Sequence, residues 1–111
     1  MHDTLFERAV HRMAFRELLP LAEQGDAKAQ NSLAAMYAFG TGVSRNVTEA
    51  VKWWRKAAEQ GHEGAQIRLA LMFRNGWGVS KDVAEAEKWY RKAAEQGDAD
   101  AQYWLEKLQA K

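Results

Sequence analysis

Three histidines and two Gly-x-Gly pairs are the residues in this 111-residue chain whose types could act on a substrate. A histidine serves as general base, proton shuttle or metal ligand when a carboxylate, hydroxyl or second imidazole stands within reach. His2 lies at the extreme N-terminus, His11 falls within one helical pattern, and His62 opens another; none has a repeated acidic or hydroxyl partner at a meaningful spacing. Gly40-x-Gly42 and Gly76-x-Gly78 could be taken for a loop that cradles phosphate. Both follow helical stretches rather than strands, and they recur at a fixed interval, so they read as turns. There is no His-Glu-x-x-His pattern and no nucleophile elbow. The chain is therefore expected to be non-enzymatic, with no cofactor and no metal, and His62 reads as a residue at the start of a helix.

Charge narrows the partner classes. Lys52, Arg55, Lys56, Lys88, Arg91 and Lys92 look like a basic face, but Glu49, Glu59, Glu85, Glu87 and Glu95 intersperse them at helical pair spacing, which describes a solvated face of ion pairs. With a net charge of +1 and no uninterrupted positive stripe, nucleic acid is not an expected partner. No apolar run is long enough to span a bilayer, and Met1-His2-Asp3-Thr4 lacks a basic, then apolar, export signal, so no membrane association is expected. The absence of cysteine excludes a disulfide framework, and a cytoplasmic setting is expected.

The elements that position these residues come from a repeat. Glu-Gln-Gly occurs at Glu23, Glu59 and Glu95, always 36 residues apart, and Ala22 to Ala57 laid over Ala58 to Ala93 gives 21 identities without a gap. A period of that length marks a supersecondary unit that must stack on its neighbours to bury its apolar face. Ala29, Leu33, Met36 and Tyr37, like Ala65, Leu69, Met72 and Phe73, form one stripe of a first helix, helix A. Asp26 and Asp98 suit its N-cap, and Gly40 or Gly76 its left-handed end. Asn46-x-x-Glu49 and Asp82-x-x-Glu85 are capping boxes that open a second helix, helix B, with Val47, Ala50, Trp53 and Ala57 or Val83, Ala86, Trp89 and Ala93 on its inner face. Alanines let paired backbones approach, and Trp53 and Trp89, together with Met36 and Met72, are core. The pattern predicts an all-α fold: a short right-handed α/α solenoid of about six helices in one repeat domain, with a lead-in over 1–24, repeats over 25–60 and 61–96, and a half-repeat over 97–111.

Thr4-x-x-Glu7 starts the lead-in helix, for which Leu5, Phe6, Val10, Met13 and Leu18 form the expected buried side. Pro20 removes a backbone donor and is expected to kink or split it. Its latter half occupies the helix B frame, with Ala14 aligned to Ala50 and Glu17 to Trp53. At the other end, Leu105 and Leu108 keep inward positions, whereas Glu106 and Gln109 replace Ala34 and Tyr37. That substitution describes a polar capping helix and an expected end to the solenoid.

The combined pattern, Ala-x-Ala-Gln-x-x-Leu-Ala-x-Met-Tyr-x-x-Gly-x-Gly-Val followed by Glu-Ala-x-x-Trp-x-x-Lys-Ala-Ala-Glu-Gln-Gly, resembles the Sel-1-like repeat, a relative of the tetratricopeptide repeat. The resemblance covers two full units and a third helix A. It implies a superhelix whose concave face is lined by helices A, and an adaptor or scaffold that binds other proteins, commonly in bacterial signalling, envelope assembly or host interaction. The cysteine-rich, disulfide-held branch of that family does not fit a chain without cysteine.

Stacking residues must recur and recognition residues need not, so candidate contacts lie where the copies differ. Opposite the buried stripe of helix A stand Asn31, Ala35 and Ala38, then Ile67, Leu71 and Arg74, then Tyr103, Lys107 and Ala110. Apolar Ile67, Leu71 and Tyr103 with basic Arg74 and Lys107 beside them have the anatomy of a protein or peptide site, unless the superhelix curls enough to pack them together. Trp77 replaces Thr41 and either packs its loop or meets a partner. Trp104 replaces Arg68 and either caps the stack or anchors a ligand, and Phe39 stands beside the first row with the same ambiguity. The expected function is binding of one protein or peptide on this face, as an adaptor, a single-partner binder or an immunity-type protein, with the chain a monomer or weak homo-oligomer. The alternative is a structural, self-associating repeat protein.

Overall fold

The short side chains that open each helix do so by taking up backbone donors. In the computed structural model, which describes residues 4–110, Thr4 and Glu7 form a reciprocal capping box at the start of α1 (Leu5–Glu23). Asp26, Asn46, Asp82 and Asp98 accept from the third backbone N–H of α2 (Ala27–Phe39), α3 (Val47–Glu59), α5 (Val83–Glu95) and α6 (Ala99–Gln109). His62 does the same work for α4 (Glu63–Asn75), its Nδ1 accepting from Ala65 N at 3.1 Å. A glycine in the left-handed conformation closes α2 at Gly40 and α4 at Gly76. The result is six helices and no strand among the described residues.

Each helix packs chiefly on the one before and the one after it in sequence. The molecule measures 48 × 29 × 23 Å with a radius of gyration of 14.9 Å, against about 13 Å for a compact domain of this length. It is a stack, with helices A at α2, α4 and α6 and helices B at α3 and α5. The core runs along it through Leu33, Ala34, Ala50, Trp53 and Ala57, then Leu69, Ala70, Ala86, Trp89 and Ala93. Trp54 and Tyr90, the residues after the repeat tryptophans, are buried as deeply, and periodicity alone does not single them out.

Two devices join one unit to the next. In the first, Gly42 lies against the backbone of His11, and Gly78 against that of Val47, so close that an added Cβ would fall 2.3 Å from His11 O and 2.6 Å from a Val47 methyl. Both glycines also have positive φ. His11 and Val47 are themselves 36 residues apart, so the lead-in helix enters the stack in the helix B register. In the second, buried Gln30 and Gln66 donate to Ala22 O at 3.0 Å and Ala58 O at 3.2 Å, carbonyls at the end of the preceding B-type helix. Their own oxygens accept from Gln60 and Gln96, each at 2.9 Å.

The lead-in differs from expectation in two ways. Pro20 neither splits nor ends the helix: α1 is continuous from Leu5 to Glu23, the missing proline N–H costing one intrahelical bond, to Arg16 O, while Pro20 O still accepts from Gln24 N at 3.0 Å. Leu5, Phe6, Val10 and Met13 are exposed, the first two by 80% and 77%. Among the described residues α1 packs on α2, and the side chains that face the core from it are Phe15, Leu18, Leu19 and Ala22, with Phe15 edge-on to Tyr37 at 5.5 Å. At the far end, Ala101 is buried, Leu105 and Leu108 pack on the core, and Glu106 and Gln109 are exposed.

Glu63, in the first turn of α4, lies beside Asp98, the N-cap of α6; a hydrogen bond between these carboxyls needs a proton and raises the Glu63 pKa. The folded state therefore holds this proton more tightly than the unfolded chain, and the resulting stabilisation is fully present below the unfolded pKa and lost as pH rises from there through the raised folded one. Glu63→Gln is expected to raise the melting temperature at pH 7, with the gain shrinking as the pH falls through the raised Glu63 pKa. Gly78→Ala is expected to cost at least about 2 kcal/mol, from backbone strain and the displaced Val47 backbone. Gln66→Leu removes one of the two donors to Ala58 O, which keeps Gly61 N, and the acceptor of Gln96 Nε2, which keeps Gly61 O, so the loss is expected to be about 0.5–1.5 kcal/mol. Urea unfolding of each variant measures both losses.

Candidate protein-binding surface

The variable positions of helices A divide into two clusters. At the first joint between units, Ala38 and Phe39 at the end of α2, Val47 and Trp54 of α3, and Arg68, Leu71 and Met72 of α4 enclose an apolar groove of about 290 Å³. Arg45 and Trp77 from the two inter-helix loops complete its rim. Phe39 is 72% exposed and Trp77 53%, large apolar surfaces on either side of a concave floor. Trp54 is fixed in that floor by its indole, whose Nε1 donates to Asn31 Oδ1 at 3.1 Å. Arg45 Nε donates to Ala38 O, at the carbonyl end of α2, at 3.0 Å.

At the second joint the corresponding space is occupied by the chain itself. The Arg74 guanidinium carbon lies 3.8 Å from the centre of the Trp104 ring. The same arginine donates from Nη1 to the Tyr90 hydroxyl at 3.0 Å. Burial pushes the Tyr90 phenol above its ordinary pKa, the Arg74 charge acting in the opposite sense, so the hydroxyl stays neutral and free to accept. Tyr103 stands edge-on to Trp104 at 5.2 Å, 52% exposed, with Lys107 Nζ 5.5 Å from its ring centre.

Of the residues singled out by sequence, the structure brings Phe39, Leu71 and Trp77 together at the first groove and Arg74, Tyr103, Trp104 and Lys107 together at the second joint. Ile67 and Leu71 are half-buried, packed against the core from the A-helix side. Asn31 is half-buried and tied to Trp54, and Ala35 is half-buried between; neither lines the groove. Arg45, Trp54 and Arg68 line it without having been singled out. A signal existed: each unit carries an aromatic residue after its repeat tryptophan, Trp54 or Tyr90, and a basic residue before its capping box, Arg45 or Lys81.

Elsewhere the polar groups serve structure. Glu49 and Glu85 pair with Lys52 and Lys88 at 3.3 and 3.5 Å, and Lys52 and Lys56 straddle Trp53 as Lys88 and Lys92 straddle Trp89. His11 lies half-buried at the first loop, His62 caps α4, and His2 lies outside the described residues. Among the described residues no three His, Cys, Asp or Glu side chains converge as a metal ion requires, and no helix is long and apolar enough to cross a membrane.

Comparison with known proteins places this architecture. The Sel1 repeat family model matches residues 27–62 and 64–98. A Sel1 repeat protein from Oxalobacter formigenes is 47% identical, with a TM-score of 0.83 over 85% of this chain and 39% of its own. The protein c5321, a protective antigen present in uropathogenic Escherichia coli strains and displaying an SLR fold, is 38% identical with a TM-score of 0.83 over 85% of this chain and 20% of its own. Helicobacter pylori cysteine rich protein B is 25% identical, with a TM-score of 0.78 over 82% of this chain and 68% of its own. No curated protein matches the sequence. The chain thus spans well under half the length of the first two relatives. With both full units matched by the family model and the helical stack shared with these solved structures, the chain belongs to the Sel1 repeat family.

Proposed function

We propose that this chain is a non-enzymatic protein-binding module that seats a segment of one protein partner on the face lined by its A helices. Sel1 repeats are in general protein-interaction modules, and within that class the groove at the first joint carries the reading. It is concave, its floor is apolar, and Phe39 and Trp77 are exposed at its edges, where nothing in the repeat requires an aromatic residue. The cluster of Tyr103, Trp104 and Lys107 extends the same face toward the end of the stack. A single-partner role, as an adaptor or as an immunity-type protein that neutralises its target, fits one apolar groove with aromatic edges.

A self-associating structural role is the second reading, and the exposed Leu5, Phe6, Val10 and Met13 of α1 favour it. Sedimentation over a wide concentration range separates the two, because a monomer throughout removes self-association.

Phe39→Ala combined with Trp77→Ala tests the first reading. Both side chains are exposed, so the fold should be left within about 0.5 kcal/mol of the parent. Affinity capture from the source cells, quantified by mass spectrometry, is expected to lose the partner by about tenfold or more. Recovery of the same partner in the same amount would remove this face as the site.

A further inference from the structure

Joints built on one frame make different use of it. At the second joint Trp104, Arg74 and Tyr90 fill the space between units, the guanidinium lying 3.8 Å from the indole and hydrogen-bonded to the phenol at 3.0 Å. One repeat earlier the same three positions hold Arg68, Ala38 and Trp54. There the indole has become an exposed arginine and the arginine a methyl group, while the aromatic floor is kept. What remains is the apolar groove of about 290 Å³.

We propose that the first joint is a socket for an aromatic side chain of the partner protein, a tryptophan or tyrosine flanked by acidic residues, seated as Trp104 is seated at the second joint. The proposal rests on the A-helix face being the binding surface, and it names what that surface takes. Trp54 offers an aromatic surface for stacked or edge-on packing, and Leu71 and Met72 supply aliphatic walls. The flanking chemistry follows from charge. Arg45 and Arg68 are the ionisable side chains that line the groove, and no carboxylate lines it with them. Neither makes a salt bridge among the described residues, where the ion pairs are those of Lys52 and Lys88. Arg45 commits Nε to Ala38 O, which leaves its terminal nitrogens for an incoming carboxylate. Near-zero net charge and interspersed glutamates favour an acidic peptide over a nucleobase as the source of the ring.

The peptide acetyl-Glu-Asp-Trp-Glu-Asp-amide probes the socket directly. Titrated into isotope-labelled full chain, it is expected to shift the Trp54 indole N–H resonance and those of its groove neighbours to saturation. The same peptide with alanine for tryptophan, or with lysines for the acids, is expected to bind at least about tenfold more weakly. Ala38→Arg with Arg68→Trp fills the first joint with an arginine and an indole as at the second, over Trp54 in place of Tyr90 and so without the phenol hydrogen bond; it should fold as the parent does while peptide affinity falls at least about tenfold. Arg68→Glu, a change at an exposed position, tests the charge without filling the groove and should weaken the acidic peptide several-fold. Equal affinity for the alanine peptide, resonance shifts elsewhere than the groove, or undiminished binding by both variants would overturn the socket. So would displacement of the peptide by short single-stranded DNA, or a dimer that the filled variant abolishes, since these assign the groove to a nucleobase or to a second copy. Loss of the cellular partner with Phe39→Ala/Trp77→Ala but not with the filled variant would overturn the socket alone; retention by both would remove the surface as well.

Discussion

Where a helix stops, its last carbonyls have no donor within the helix, and a stack of short helices multiplies that deficit at every joint. Here the backbone N–H of Gly25 or Gly61, just past the helix, and the side chain of a buried glutamine from the next helix share one such carbonyl. Gln30 reaches Ala22 O and Gln66 reaches Ala58 O from the helix that follows, and each is held in place by a second glutamine one B helix further on. A buried amide left half-satisfied would cost more than an apolar residue in its place, so the pair works only when both members and the carbonyl are present. That requirement explains why the glutamine of Glu-Gln-Gly recurs in step with Ala-x-Ala-Gln. It also fixes the distance and angle from one unit to the next, and the glycine contacts at His11 and Val47 fix them again on the other side of the stack.

With the joints so constrained, the remaining surface is free to vary. Positions 38, 68 and 104 do not touch the glutamine relay, and they are where the two joints diverge. One joint has closed over its own tryptophan, and the other has kept the aromatic floor and opened above it. In this chain the two joints differ in side chains that lean across them, while the backbone contacts that make each joint recur.

Most of the architecture could be read from the period alone. N-caps at Asn46 and Asp82, helix-ending Gly40 and Gly76, and the inward stripes of helices A all stand where spacing put them, because each is a local property of one helix. The reach-back of Glu49 and Glu85 that a full capping box requires is absent, because the backbone N–H groups of Asn46 and Asp82 donate instead to Tyr37 O and Phe73 O of the preceding helix. The lead-in could not be read in the same way. Val10 and Met13 have the spacing of a buried face, but burial needs a neighbour, and among the described residues α1 packs chiefly on α2. The groove was harder still. Whether Phe39, Leu71 and Trp77 meet depends on the stagger of successive units, and whether the space between them is filled depends on two positions acting across that stagger, Ala38 and Arg68 at the first joint, Arg74 and Trp104 at the second. Substitution between copies marked Trp104, while its counterpart at the open joint carried no mark of its own.

Because the substantial contacts run only between successive helices along a body 48 Å long, no tie crosses from one end to the other. Such a body passes any change at one joint along the row, with no substantial contact elsewhere among the described residues to oppose it. A ring wedged between α2 and α4 would act at one such joint and, through the pitch of the coil, swing the far end, so occupancy at one site would be reported as a change of curvature many ångströms away.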